Sequence, residues 1–241
     1  MTAPQQGLLA GRTVVLTGVS RGVGLATARV LLDAGARVLG VAQDPARLGR
    51  ARDELQARAP ERFHALAVDL SNPAFAVSIR VEAERHFERL DVLINNAGVM
   101  LWRDAEITEE PPGILEQTLE VNLLAPHRLL RELLPLLLRA KEPRVLNVSS
   151  GAGTHHGLTE PGIASYRVSK WALNGLTMAQ ARELSGKVAV NALDPGWLRT
   201  DLGGPKAPGV PEDGADGILA ALALPFSETG KFFKAGVEIP W

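Results

Sequence analysis

Apolar residues along the chain follow two rhythms. Short runs rich in Val, Leu, Ile and Phe occupy 13–17, 37–41, 63–68, 92–95, 144–148, 188–193 and 231–233. Their length and β-branched content read as strands. Between them, near 22–33, 45–59, 73–89, 113–140, 165–185 and 211–222, apolar residues recur at helical spacing. Phe75, Ile79, Ala83 and Phe87, one every four residues, predict one buried helical stripe. Gly35, just after Asp33 and Ala34, reads as a helix stop. Strand and helix in strict alternation are the pattern of a parallel sheet with crossover helices. The expectation is a single α/β domain over 1–241, of the Rossmann-type doubly wound kind, with a seven-stranded, mostly parallel sheet flanked by helices. There is no internal repeat or low-complexity tract. Residues 203–211 are rich in Gly and Pro and read as a loop that can move, so 197–211 is the expected lid over a substrate.

Composition narrows the class. The chain has 241 residues, enough for one sizeable core; 46% are hydrophobic and 22% charged, as in soluble globular proteins. A formal net charge of -1 argues against nucleic acid or anionic membrane as partner. There are no cysteines, which excludes disulfides, thiolate catalysis and cysteine-based metal sites. Met1 to Gly11 lacks a basic stretch followed by an apolar run, so no signal peptide is read. The greasiest stretch, 129–138, is interrupted by Arg131, Glu132 and Pro135 and is too short to span a bilayer. The expected location is cytoplasmic. His155 and His156 have no partner at metal-ligand spacing and read as a solvated loop pair, so no metal is expected. Their loop, between two candidate catalytic segments, still leaves them in reach of a substrate.

The first strand runs into Gly18-Val19-Ser20-Arg21-Gly22-Val23-Gly24 and then a helix. Glycines there permit a tight turn and close approach of the backbone to a pyrophosphate, and the helix N-terminus offers free N–H groups and a positive dipole end. The second strand ends at Ala42, where an NAD site usually carries an acid for the ribose 2′-hydroxyl, and Arg21 is placed to meet a 2′-phosphate. Both favour NADP(H) over NAD(H). Asp44 leaves two readings open: the missing acid, displaced by one position of register, or the N-cap of a helix opening at Pro45. The cap is preferred.

Tyr166 and Lys170 stand four residues apart on a predicted helix and share one face. A neighbouring ammonium favours phenolate and lowers a pKa ordinarily near 10. A phenol tuned in this way exchanges a proton near neutral pH, as carbonyl reduction or alcohol oxidation requires.

Five segments together resemble the short-chain dehydrogenase/reductase family over nearly the whole chain. Thr17-Gly18-x-x-x-Gly22-x-Gly24 is similar to its cofactor motif, and Asn95-Asn96-Ala97-Gly98 to its second motif. Asn147-Val148-Ser149-Ser150 ends a strand as the family's serine motif does. Tyr166-x-x-x-Lys170 is similar to its catalytic pair, and Pro195-Gly196-Trp197-Leu198-Arg199-Thr200 to the segment that holds the nicotinamide. The tail, 229–241, resembles the carbonyl-reductase-like branch.

The resemblance implies a catalytic set of Asn122, Ser150, Tyr166 and Lys170. Tyr166 would be the general acid in reduction, and Lys170 would lower its pKa and hold the nicotinamide ribose. Ser150 would stabilise the substrate oxygen; Ser149 is its rival, and strand alternation lets only one face the site. Pro126, four residues after Asn122, has no N–H to give the Asn122 carbonyl. The freed carbonyl would hold a water in a proton relay; the plainer reading is a bend in a long helix. Cofactor contacts would come from Gly18, Ser20, Arg21, Gly22, Val23 and Gly24. Asp69 and Leu70 would serve the adenine, although Asp69 also suits a capping role. Asn96, Ala97 and Gly98 would lie along the adenosine ribose. Tyr166, Lys170, Pro195, Gly196, Leu198 and Thr200 would hold the nicotinamide end. The separation of Ser150 from Tyr166 is three residues longer than in short members, which predicts a bulge at the pocket mouth.

Met100, Trp102, Trp197 and Leu198 suggest an apolar wall, hence a hydrophobic or aromatic small-molecule carbonyl, while Arg103, Arg199 and the histidines leave an anionic group open. The expected activity is NADPH-dependent reduction of a ketone, aldehyde or quinone, or its reverse. The alternatives are an NAD-dependent alcohol dehydrogenase and a non-catalytic NADP(H)-sensing or interaction protein. An intact catalytic set argues against the last. The helices carrying Asn122 and Tyr166 would make a homodimer or homotetramer.

Overall fold

The computed structural model describes residues 9–103 and 107–241. Residues 1–8, which carry most of the reading of the N-terminus, lie outside the described residues. Eight strands form one sheet: β1 (Thr13–Thr17), β2 (Arg37–Ala42), β3 (Phe63–Ala67), β4 (Val92–Asn95), β5 (Arg144–Val148), β6 (Ala189–Asp194), β7 (Phe232–Lys234) and β8 (Val237–Ile239). Their order is β3-β2-β1-β4-β5-β6-β7-β8. All neighbours pair parallel except β7 with β8. The chain winds outward from β1 in one direction and from β4 in the other, so the carboxyl ends of β1 and β4 flank a topological switch point.

The helices are α1 (Gly22–Asp33), α2 (Pro45–Arg58), α3 (Phe75–His86), α4 (Ile114–Leu119), α5 (Ala125–Leu137), α6 (Ala164–Glu183) and α7 (Pro211–Leu222). They cover both faces of the sheet, which is why the centre of β1, Val14 to Leu16, is apolar on both sides. Side chains alternate along a strand. Val14 and Leu16 point into the core shared with α1 and α7, where Leu31, Leu32, Ile218 and Leu222 are buried. Val15 points into the opposite core with Phe75, Ile79, Leu129 and Leu133 of α3 and α5. Every β1 residue is thus buried. α1 stops at Ala34-Gly35, where Gly35 takes φ +93, and Arg62 donates to the carbonyls of Leu32 (2.6 Å) and Ala36 (3.2 Å).

The sheet has eight strands where the sequence predicts seven. β8 is three residues long and mostly exposed, so it has no apolar rhythm to betray it. It folds back through Ala235 and Gly236, both at positive φ (48° and 78°), the backbone of a two-residue hairpin. The predicted continuous helix over 113–140 is three pieces, α4, a π-helical turn at Glu120–Leu124, and α5. α3 begins at Phe75 rather than 73, because the Asn72 side chain accepts from the Ala74 amide (2.9 Å) in a turn before it. Among the described residues no helix is long and apolar enough to cross a membrane.

Candidate active site

The carboxyl ends of the parallel strands open into one cleft of about 1110 Å³. Gly18, Ser20, Arg21, Gly22, Val23, Gly24, Asp69, Leu70, Asn96, Ala97, Gly98, Tyr166, Lys170, Pro195, Gly196, Leu198 and Thr200, the residues expected at a cofactor, all line it, as does Ser150. Asn122 is fully buried behind the wall.

The turn after β1 is built around close approach. Gly18 takes φ +76. A Cβ on Gly24 would lie 2.0 Å from the Gly18 carbonyl oxygen, so α1 can pack on the turn only with glycine there. The Thr17 hydroxyl accepts from the amides of Asn96 and Ala97 (3.0 Å each), and the Asn96 side chain donates to the Thr17 carbonyl (2.8 Å). These bonds stitch the β1 and β4 ends together across the switch point. At α1 the capping position, Arg21, makes no side-chain cap bond and the first turn holds no acid. Its amides therefore face the cleft as an anion site. A long cleft with a phosphate cradle at one end and a buried Tyr–Lys pair at the other fits a dinucleotide.

Asp44 takes the capping role: its Oδ1 accepts from the amides of Ala46 (2.9 Å) and Arg47 (3.0 Å) at the start of α2. Asp69 accepts from the Ser71 amide (2.9 Å) and hydroxyl (2.8 Å), bonds that hold its carboxyl below the usual carboxylate range.

At the other end, Tyr166 and Lys170 lie in the first two turns of α6, both buried. Lys170 Nζ donates to the Val148 carbonyl (2.9 Å) and sits 5.7 Å from the centre of the Tyr166 ring. The Tyr166 phenol lies near enough to Ser150 for the serine to draw its pKa down, and the Ser150 hydroxyl accepts from the Ala152 amide (3.1 Å). Ser149 points the other way, its hydroxyl 3.4 Å from the Lys170 carbonyl. Asn122 lies in the π turn: its Oδ1 accepts from the Val99 amide (2.8 Å), and its Nδ2 donates to the Val99 carbonyl (2.9 Å) and the Ser169 hydroxyl (3.0 Å). Pro126 follows immediately, in the first turn of α5. The proline is thus absorbed by a π turn, a feature that recurs at functional sites, and not by a simple kink.

One expectation is corrected. Lys170 does not lower the Tyr166 pKa in this structure. Burial pushes the Tyr166 phenol up to about 12, against a lowering by Ser150, and the Asp194 carboxylate adds to the rise. Burial also lowers the Lys170 ammonium to about 8. With the ammonium turned toward the Val148 carbonyl, desolvation of both groups outweighs their attraction.

The segment between Ser150 and Tyr166 folds at the cleft mouth as a bulge with short 3₁₀ turns at Gly151–Gly153 and Gly157–Thr159. Arg167 clamps it, donating to the carbonyls of Gly157 (2.6 Å), Pro161 (3.1 Å) and Gly162 (2.9 Å). Ile163, a β-branched residue at φ +50, closes the bulge just before α6, strained backbone of the kind that collects at ligand sites. His156 and Glu160 line the cleft mouth; His155 instead meets the Trp171 ring edge-on (6.4 Å). Met100, Trp197 and Leu198 line the cleft, as do Arg103 and Arg199, while Trp102 is not among its wall residues. Three contributors had no signal in the sequence: Arg167, and the pair of buried Asp194 with Lys234 (2.9 Å) at the end of β6. Asp194 also accepts from the Gly196 amide (3.0 Å), which fixes the turn into residues 197–211.

Comparison with known proteins agrees with this geometry. A family model described as short chain dehydrogenase matches residues 12–210. The NADPH-dependent pterin aldehyde reductase of Arabidopsis thaliana is 32% identical over 198 residues, 81% of this chain and 78% of that protein. The NADPH-bound carbonyl reductase from chicken fatty liver superposes with a TM-score of 0.86 at 29% identity, over 97% of this chain and 100% of that one. The carbonyl reductase Sniffer of D. melanogaster does so with 0.86 at 28% identity, over 96% and 100%. The chain belongs to the short-chain dehydrogenase family, in its carbonyl-reductase-like branch, and is an oxidoreductase of CH–OH and C=O groups.

Proposed function

We propose that this protein reduces a hydrophobic or aromatic ketone, aldehyde or quinone with NADPH, Tyr166 giving the proton. One observation carries this reading. The Tyr166 phenol lies at the wall of the cleft beside Ser150, with Lys170 one turn further along α6, so a proton donor stands next to the hydroxyl that would orient a carbonyl oxygen. Bound NADPH would supply the hydride. Ser150 orients the carbonyl oxygen and stabilises its developing charge. Lys170, near pKa 8 and linked through the helix to Ser169 and Asn122, is suited to return a proton to Tyr166. Residues 197–211 act as the lid, and Met100 and Trp197 give the substrate its apolar contacts.

NADP(H) is preferred because Arg21 stands at the cradle and Gln43 and Asp44 offer no free acid to a ribose. Asp44, on which an NAD reading rests, is committed to capping α2. The relatives bound to or named for NADPH are in line with this. Val168, Trp171 and Met178 leave an apolar stripe exposed along α6, consistent with a homodimer through the α5 and α6 face.

The test is NADPH and NADH oxidation against a panel of activated ketones, aldehydes and quinones, with wild type and Tyr166→Phe. The reading expects turnover with NADPH that falls at least about 100-fold in the variant. A variant with full activity would refute the role of Tyr166.

A further inference from the structure

The lid carries an anion of its own into the corner of the cleft beside the phosphate cradle. Asp201 follows Thr200, and its carboxylate pairs with the Arg21 guanidinium and lies 3.6 Å from Nη1 of Arg47. The two arginines come from different elements, the turn before α1 and the first turn of α2. They are close enough that Arg47 helps to hold the Arg21 pKa below its ordinary value, after burial. Arg50 lines a side cavity of about 340 Å³ that opens on the same corner. Two other acids face it. Asp44 is spent on the α2 cap and on Arg47 Nε (3.3 Å), and Glu54 is doubly bonded to Arg29 (2.6 and 3.0 Å). Among the described residues that line the corner, Asp201 alone reaches it from the lid.

The backbone around Asp201 is held independently. Arg103 donates to the carbonyls of Asp201 (2.6 Å) and Leu202 (3.1 Å), the Thr200 hydroxyl accepts from the Gly203 amide (3.0 Å), and Trp197 Nε1 donates to the Gly203 carbonyl (2.8 Å). These bonds keep the 200–203 turn in shape when the Asp201 side chain lets go, but its release removes one tether between the lid and the body of the domain.

We propose that Asp201 is the built-in occupant of the Arg21–Arg47 anion corner, that the 2′-phosphate of the cofactor displaces it, and that Asp201 and Arg47 thereby set cofactor choice and couple the lid to arrival of the phosphorylated cofactor. The proposal rests on the NADP(H) reading above. A phosphate brings up to two charges and three acceptor oxygens suited to paired guanidiniums. The carboxylate it displaces is exposed, and such a pair contributes little. A ligand without the 2′-phosphate leaves the Asp201 contact in place.

The test is calorimetric titration of the full chain with adenosine 2′-monophosphate and adenosine 5′-monophosphate, in wild type, Asp201→Asn and Arg47→Gln. Asp201→Asn is expected to bind the 2′-phosphate about fivefold more tightly, the size of a lost surface pair plus one repulsive charge, with the 5′-phosphate unchanged. Arg47→Gln is expected to weaken only the 2′-phosphate. Tryptic cleavage after Lys206 in the lid should quicken in wild type with the 2′-phosphate, and in Asp201→Asn without any ligand. If Arg47→Gln weakens the 2′-phosphate and Asp201→Asn gains nothing, the role of Asp201 is overturned and the NADP(H) reading stands. If neither variant alters a wild type that binds both nucleotides alike, both fall. Unchanged proteolysis overturns the coupling to the lid.

Discussion

Replacing Lys170 by Met should make the protein more stable while disabling it. Lys170 is fully enclosed, with its ammonium bonded to the Val148 carbonyl, and burial lowers its pKa from 10.5 to about 8. That gap means the charged form costs the folded state about 3 kcal/mol relative to the unfolded chain. Met fills a similar volume without charge. It also forfeits the bond to Val148 O and leaves that carbonyl short of a donor, a loss of about 1–2 kcal/mol. The net expectation is a gain of about 1–2 kcal/mol at pH 7, or about 2–8 °C in Tm for a chain of this length. The pH dependence identifies the cause. Because the folded pKa is depressed, the folded state holds fewer protons than the unfolded one between about 8 and 10.5, and wild-type stability rises with pH across that window. The advantage of the variant should be full below pH 8, cancel near pH 9–10 and turn into a deficit of about 1–2 kcal/mol above pH 10.5, where only the lost bond to Val148 remains. Urea unfolding at pH 6.5, 8 and 9.5 measures it, with m-values compared to check that the unfolded states match. A Lys170→Met protein less stable than wild type at pH 6.5, or an advantage that does not change with pH, would refute the reasoning.

Three further outcomes are expected. Carbonyl reduction should fall as pH rises through a single deprotonation near 8, the value burial imposes on Lys170, while Tyr166 at about 12 stays protonated; a rate flat to pH 10 would remove Lys170 from proton supply. Gly24→Ala should abolish nucleotide binding in a calorimetric titration and lower Tm, since its Cβ would meet the Gly18 carbonyl at 2.0 Å and α1 would have to move off the turn. Arg62→Ala should destabilise by about 1–3 kcal/mol, read by urea unfolding, as two carbonyls at the end of α1 lose a charged donor.

What the sequence determined by itself was whatever is written in local periodicity and in short motifs. The apolar run of β1 announced a strand, and the glycines after it announced a tight turn into a helix. The spacing of Tyr166 and Lys170 needed only helix geometry to become a pair. The Asp44 cap was legible because a cap is a contact between residues two and three apart. Tertiary structure decided everything that depends on distant partners. Pro126 announced a disturbance in a helix, but only packing of Asn122 between Val99 and Ser169 converts it into a π turn. Arg167 reads as one more surface arginine until the bulge folds back over it. Asp194 and Lys234, forty positions apart, meet because β7 docks beside β6. The clearest case is the pKa of Tyr166. Spacing alone put a cation beside it and argued for a lowered value, whereas burial, a property of the whole fold, raises it to about 12. Desolvation and long-range pairing are set by what surrounds a group in three dimensions, and one-dimensional pattern carries no record of them.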